Sequence, residues 1–226
     1  AQASTVEPAG GWDASIQSLR KALSLNPLDV NSNRTLASIY MNQAERSGEP
    51  DARSRQLREA IALYEAAIRL APNHPEAYCG MGRCYFLLGD HQKASGLYEK
   101  SLQLNPYHAR THMFLGEMHF RMNKLELAYR DFTKAAKLDP GNLDARKNLG
   151  FILNMAGYKK EALRVNLRLL PRIPNDTVLL CRIAALYFSL GDSGSGHTYA
   201  RRAYDATPAA QRGAYEQFVA DLQPSQ

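Results

Sequence analysis

Three histidines, His108, His112 and His119, fall on one face if this stretch is helical, because spacings of four and eleven residues nearly complete whole turns. Imidazoles grouped on one face are candidate zinc ligands. The three cysteines, Cys79, Cys84 and Cys181, are odd in number and few for 226 residues. They imply no disulfide framework and leave the redox compartment open. On one helix, Cys79 and Cys84 point apart.

The run Gly191 to Ser195, GDSGS, resembles the nucleophile motif of trypsin-like proteases but lacks that motif's second glycine. It reads instead as a turn between helices. Neither a Gly-x-x-x-x-Gly-Lys phosphate loop nor a His-Glu-x-x-His pair occurs. Asn33-Arg-Thr and Asn175-Asp-Thr match glycosylation sequons. The expectation is a chain that is not an enzyme, with no catalytic residues, metal or cofactor.

The chain is 45% hydrophobic and 22% charged, with a net charge of +6, as suits a soluble globular protein with a mild preference for anionic partners. The most apolar stretch, Thr177 to Leu190, is interrupted by Arg182 and is too short to span a bilayer. No charged-then-apolar leader opens the sequence.

The elements that would carry these side chains are set by prolines. Amphipathic runs end at Pro27, Pro72, Pro106, Pro140, Pro174 and Pro208, and the last five prolines are each 34 residues apart. Proline lacks a backbone donor and forces the residue before it out of the helical region, so each one stops a helix. With each proline numbered as position 32 of a unit, other positions agree. Position 8 holds Ala37, Gly82, Gly116, Gly150 and Ala184; position 20 holds Ala60, Ala94, Ala128, Ala162 and Gly196. Small residues let two helices approach closely. Position 15 holds Gly89, Asn123, Gly157 and Gly191, which suits a left-handed turn between a first helix, A, and a second, B.

A 34-residue unit of two helices with these small-residue positions resembles the tetratricopeptide repeat (TPR). The resemblance covers roughly residues 10 to 208 and implies an all-α, right-handed superhelix, an α-solenoid of five full repeats. The expected organisation is an irregular leader (1–9), a half repeat with helix B only (10–27), an elongated repeat with 11 extra residues (28–72), four regular repeats (73–106, 107–140, 141–174, 175–208) and a capping helix (209–222). Eleven residues make about three helical turns, so both helices of the elongated repeat can lengthen without rotating their faces. Helix A is expected from about Asp29 to Arg46 and helix B from about Asp51 to Leu70. The start in mid-repeat reads as a piece of a longer chain. In this frame His112 and His119 fall at positions where the repeat normally packs an aromatic residue, which favours packing over metal binding.

TPR arrays bind ligands on the face made by their A helices. Carried over by position, the resemblance implies Arg34, Arg83, Phe86, Arg110, Glu117, Phe120, Arg121, Lys147, Phe151 and Asn154 as binding residues. Arginine forks beside aromatic faces suit an extended or helical segment with acidic and apolar groups. The carboxylate clamp of chaperone-tail-binding TPRs is not matched, since Phe151 stands where an asparagine is needed. Lys21, Lys100, Lys134, Arg168 and Arg202 recur at one position of the B helices, a row that Lys160, Arg164 and Arg172 extend in the fourth repeat. Such a row is ordinarily a solvated face.

The expected partner is a protein or peptide and not nucleic acid. Membrane contact is expected only through a segment outside this sequence, and the oligomeric state is open. The elongated first hairpin is also similar to the TPR segment of bacterial O-antigen ligase-like membrane proteins. That resemblance implies a role in polysaccharide or envelope assembly, in the periplasm or at the outer face of the inner membrane. The competing expectation is a free-standing adaptor, periplasmic or cytoplasmic.

Overall fold

The computed structural model describes residues 11–208. The expected leader and the capping helix at 209–222 lie outside the described residues. Among the described residues eleven α-helices follow one another: α1 (Trp12–Leu25), α2 (Val30–Arg46), α3 (Pro50–Leu70), α4 (Pro75–Leu87), α5 (His91–Leu104), α6 (Ala109–Arg121), α7 (Leu125–Leu138), α8 (Leu143–Met155), α9 (Lys159–Leu169), α10 (Thr177–Ser189) and α11 (Ser193–Ala206). A short 3-10 turn, Leu170–Arg172, extends α9. Among the described residues there is no strand.

Local chemistry accounts for the starts and stops. Asn26, Ala71 and Asn105 each precede a proline and sit at φ −140°, −140° and −143°, outside the helical region. Asp29, Asn142 and Asp176 cap α2, α8 and α10, accepting from the backbone N–H of Ser32, Ala145 and Leu179 at 3.0, 2.9 and 2.8 Å. Between paired helices the left-handed residues are Gly89 (φ 86°), Asn123 (57°), Gly157 (85°) and Gly191 (85°). At each, the next residue's N–H reaches back across the turn, as in Asp90 N–H to Tyr85 O (2.9 Å) and Lys124 N–H to His119 O (2.8 Å). The first full hairpin is long, with 17 residues in α2 and 21 in α3 against 13 and 14 in α4 and α5. Pro50 stands at the start of α3, where its missing N–H costs nothing.

The chain divides into two compact units, residues 1–118 and 119–226. Each described part is a stack of helical hairpins. In the first unit Gly80 and Gly82 on α4 lie against the rings of Tyr64 on α3 and Tyr98 on α5. Both rings are buried, at 2% and 0% exposure. In the second unit Leu169, Leu179, Leu180, Ile183 and Ala203 form the main cluster. Asn166 on α9 lies against Gly150 on α8, at the position where α3 and α5 carry their tyrosines. Its side-chain oxygen is buried without a partner among the described residues, so this hairpin replaces an aromatic contact with an unsatisfied carbonyl.

Candidate ligand-binding face

In the first unit the A helices α2, α4 and α6 are tied together by one arginine. Arg83 on α4 donates from Nε to Glu45 Oε1 on α2 (2.6 Å) and from Nη1 to Glu117 Oε2 on α6 (2.7 Å). Its guanidinium also lies 5.4 Å from the ring centroid of Phe86 and 4.7 Å from that of Phe114. Arg83 is 8% exposed. Burial alone would lower its pKa; the carboxylates of Glu45 and Glu117 outweigh that cost and raise it above the ordinary arginine range, so the charge is held. Beside this triad, Arg110 on α6 is exposed and stacks over Phe114 at 5.4 Å. It makes no ion pair among the described residues. Arg34 on α2 is half-buried, and its Nε is shielded from solvent without an acceptor.

In the second unit Phe120, at the end of α6, meets Phe151 on α8 edge to face, with centroids 5.3 Å apart. Arg182 on α10 lies over Phe151 at 5.1 Å. Its Nη1 makes a long hydrogen bond, 3.4 Å, to the Lys147 carbonyl, and among the described residues no carboxylate lies within ion-pair distance. Burial lowers the Arg182 pKa, and the charge of Asp176 offsets this only in part. This partly desolvated guanidinium gains from an incoming anion. Lys147 is committed to Asp176 at 2.6 Å. Asn154 is exposed on the same helix as Phe151.

The Lys147–Asp176 pair makes a pH prediction. Burial raises the Asp176 pKa, but hydrogen bonds from Lys147 and the Leu179 N–H outweigh it, and the net value is below the usual carboxylate range. A folded-state pKa below the unfolded one contributes stability that is fully present above the unfolded value, about 3.9, and is lost as pH falls through the folded value. Asp176→Asn is therefore expected to lower the urea midpoint at pH 7 by an amount equivalent to about 1 kcal/mol. The difference between variant and parent should shrink as pH falls through the lowered folded-state value. A difference that stays constant with pH would contradict this.

The expected site residues fall in different environments. Arg83 and Phe86 (4% exposed) are buried: the arginine is engaged by two carboxylates of its own chain and the phenylalanine packs beneath it. Glu117 belongs to the same triad. Arg110, Arg121 and Asn154 are exposed, whereas Arg34, Phe120, Lys147 and Phe151 are half-buried. The histidines also separate. His108 Nδ1 lies 2.7 Å from Thr111 Oγ1, His112 Nε2 is 3.2 Å from the Pro106 carbonyl, and His119 Nδ1 is 2.9 Å from Asp131 Oδ2. Among the described residues no cluster of three or more His, Cys, Asp or Glu could hold a metal. Asp192 of the GDSGS run caps α11, accepting from the Ser195 N–H at 2.9 Å.

Comparison with solved structures decides the fold. The TPR protein YrrB, described as having an unusual peptide-binding site, superposes with a TM-score of 0.62 at 20% identity, covering 89% of this chain and 98% of its own. The chain has the TPR fold. A chain of the APC/C hetero-tetramer Cut9–Hcn1 matches with a TM-score of 0.75 at 17% identity over 94% of this TPR chain, which spans 39% of that one. The MamA protein matches with a TM-score of 0.60 at 19% identity, over 74% of this chain and 98% of its own. The family model for subunit 3 of the anaphase-promoting complex, or cyclosome, matches residues 53–130. No curated protein matches. None of these comparisons supports the O-antigen ligase-like resemblance. Among the described residues no helix is long and apolar enough to cross a membrane.

Two contributors to the TPR face lay outside the expected site. Glu45 falls at the end of the lengthened α2, where position counting has no template. Arg182 stands one position after Cys181, the residue that corresponds by repeat spacing to Lys147. A signal for the triad was present: Arg83 and Glu117 are opposite charges exactly one repeat, 34 residues, apart.

Proposed function

We propose that this TPR chain is a binding scaffold whose A helices recognise an extended or helical protein segment bearing carboxylates and apolar side chains. The observation that carries the reading is that each unit presents an arginine stacked on an aromatic ring and, among the described residues, lacking a carboxylate partner: Arg110 on Phe114 in the first, Arg182 on Phe151 in the second. A guanidinium held against a ring is pre-oriented, so little side-chain freedom is lost when a carboxylate docks. Phe120 and Phe151 offer an apolar contact beside Asn154 in the second unit. The fold supports a scaffold role, and the peptide-binding site described for YrrB supports a peptide as the ligand type.

The test is selection of phage-displayed peptides on the immobilised full chain and on an Arg110→Glu/Arg182→Glu variant. Acid-rich peptides with aromatic or aliphatic anchors are expected from the parent, with at least about a tenfold loss of affinity on the variant, as removal of charge-assisted hydrogen bonds requires. Recovery of the same peptides with equal affinity from both chains would refute the reading.

A further inference from the structure

The net charge of the protein is unevenly placed. Among the described residues, positions 11–118 carry 12 Lys and Arg against 11 Asp and Glu, whereas positions 119–208 carry 15 against 8. The second unit therefore holds nearly all of the excess. Much of it lies on the outer B-helix layer. Arg130 and Lys134 on α7, Lys160, Arg164 and Arg168 on α9, and Arg202 on α11 are all exposed, and none makes an ion pair among the described residues. Repeat spacing places Arg130 beside Arg164, and Lys134 beside Arg168 and Arg202. Along α9 the cations recur every four residues, about 6 Å apart. The corresponding two positions of α1, α3 and α5 read Gln17 and Lys21, Ala62 and Ala66, Gly96 and Lys100. Two of those six are cationic against five of six in α7, α9 and α11, where Thr198 is the exception. A habit of the repeat would recur in both units, and this pattern does not.

We infer that the B-helix layer of the second unit docks on an anionic lipid surface. The cations form a two-dimensional array across successive helices, matched by a plane of negative charge. At the α8–α9 turn, next to the first of these cations, Met155 and Tyr158 are 52% and 57% exposed. A phenol and a thioether at the edge of a basic face suit the headgroup boundary, where amphipathic rings settle. A single strand of nucleic acid is held by rings set along a charged groove, whereas these cations are spread over three successive helices of the B layer. This inference concerns the opposite helix layer from the peptide-binding reading and stands independently of it.

The experiment is co-sedimentation of the full chain with vesicles of phosphatidylcholine alone and of phosphatidylcholine with one third phosphatidylserine, in 50 mM salt. Binding is expected only to the anionic vesicles and is expected to be lost at 500 mM salt. Lys160→Glu/Arg164→Glu/Arg168→Glu should weaken it on the order of a hundredfold. Arg55→Glu/Arg58→Glu/Arg69→Glu changes net charge equally at exposed sites of the first unit and should weaken it far less. Thermal melts of both variants establish that they fold. Absence of binding by the parent, equal binding to neutral vesicles, or equal loss in the two triple variants would overturn the inference. So would tighter binding to an oligonucleotide through the same three residues.

Discussion

Gly80→Ala is expected to destabilise the protein by about 2 kcal/mol, lowering Tm by roughly 4–8 °C. On an exposed helix the same change would stabilise by up to about 1 kcal/mol, because alanine loses less backbone freedom. Here the added methyl would overlap the phenol ring of Tyr64. That ring is 2% exposed and packed among Leu36, Ala60 and Cys84, so it has no solvent side to move toward. The overlap wins over the propensity. Tyr64→Leu in the Gly80→Ala background should recover part of the loss, with a coupling of at least about 1 kcal/mol in a double-mutant cycle. A neutral or stabilising Gly80→Ala would mean that the close crossing of α3 and α4 is not rigid.

Arg83→Met is expected to cost about 3 kcal/mol, measured by urea unfolding. Methionine preserves most of the volume between Phe86 and Phe114 but leaves Glu45 and Glu117 facing each other without their shared counter-ion. The carboxylate side chains are 32% and 25% exposed, so water relieves part of the penalty and the low end of the buried-pair range applies. Arg83→Lys should recover little, since one ammonium cannot reproduce two directed N–H contacts. Adding Glu45→Gln and Glu117→Gln to Arg83→Met should restore most of the loss, because no uncompensated charge then remains. Equal stability of Arg83→Met and the parent would show that the triad does not tie the three A helices together.

These two sites show what could be read before the structure. The hairpins were legible because proline and glycine act through the backbone: Pro72 and Pro106 end α3 and α5, and Gly89 turns α4 into α5, whatever their neighbours are. The small residues at helix crossings were legible for the same reason. The environments of the expected binding residues were less legible. Arg83 and Arg110 both fall at positions expected to face a ligand, yet one is buried in an ion triad and the other is exposed. What separates them is Glu45, which the 11 extra residues of the first hairpin bring within reach of Arg83. Arg182 was not among the expected site residues, because Phe151 lies beneath it through a contact between helices 31 residues apart in sequence. Backbone punctuation is local, whereas the availability of a charge is decided by partners that the pattern of one repeat does not contain.

The most direct test of the binding account is hydrogen–deuterium exchange on the full chain, with and without a saturating acid-rich peptide selected as above. Ligand protection should fall on the A helices, centred on α6 around Arg110 and on α10 around Arg182, while α7, α9 and α11 exchange as in the free protein. Protection confined to the B helices, or to the turns between hairpins, would contradict it.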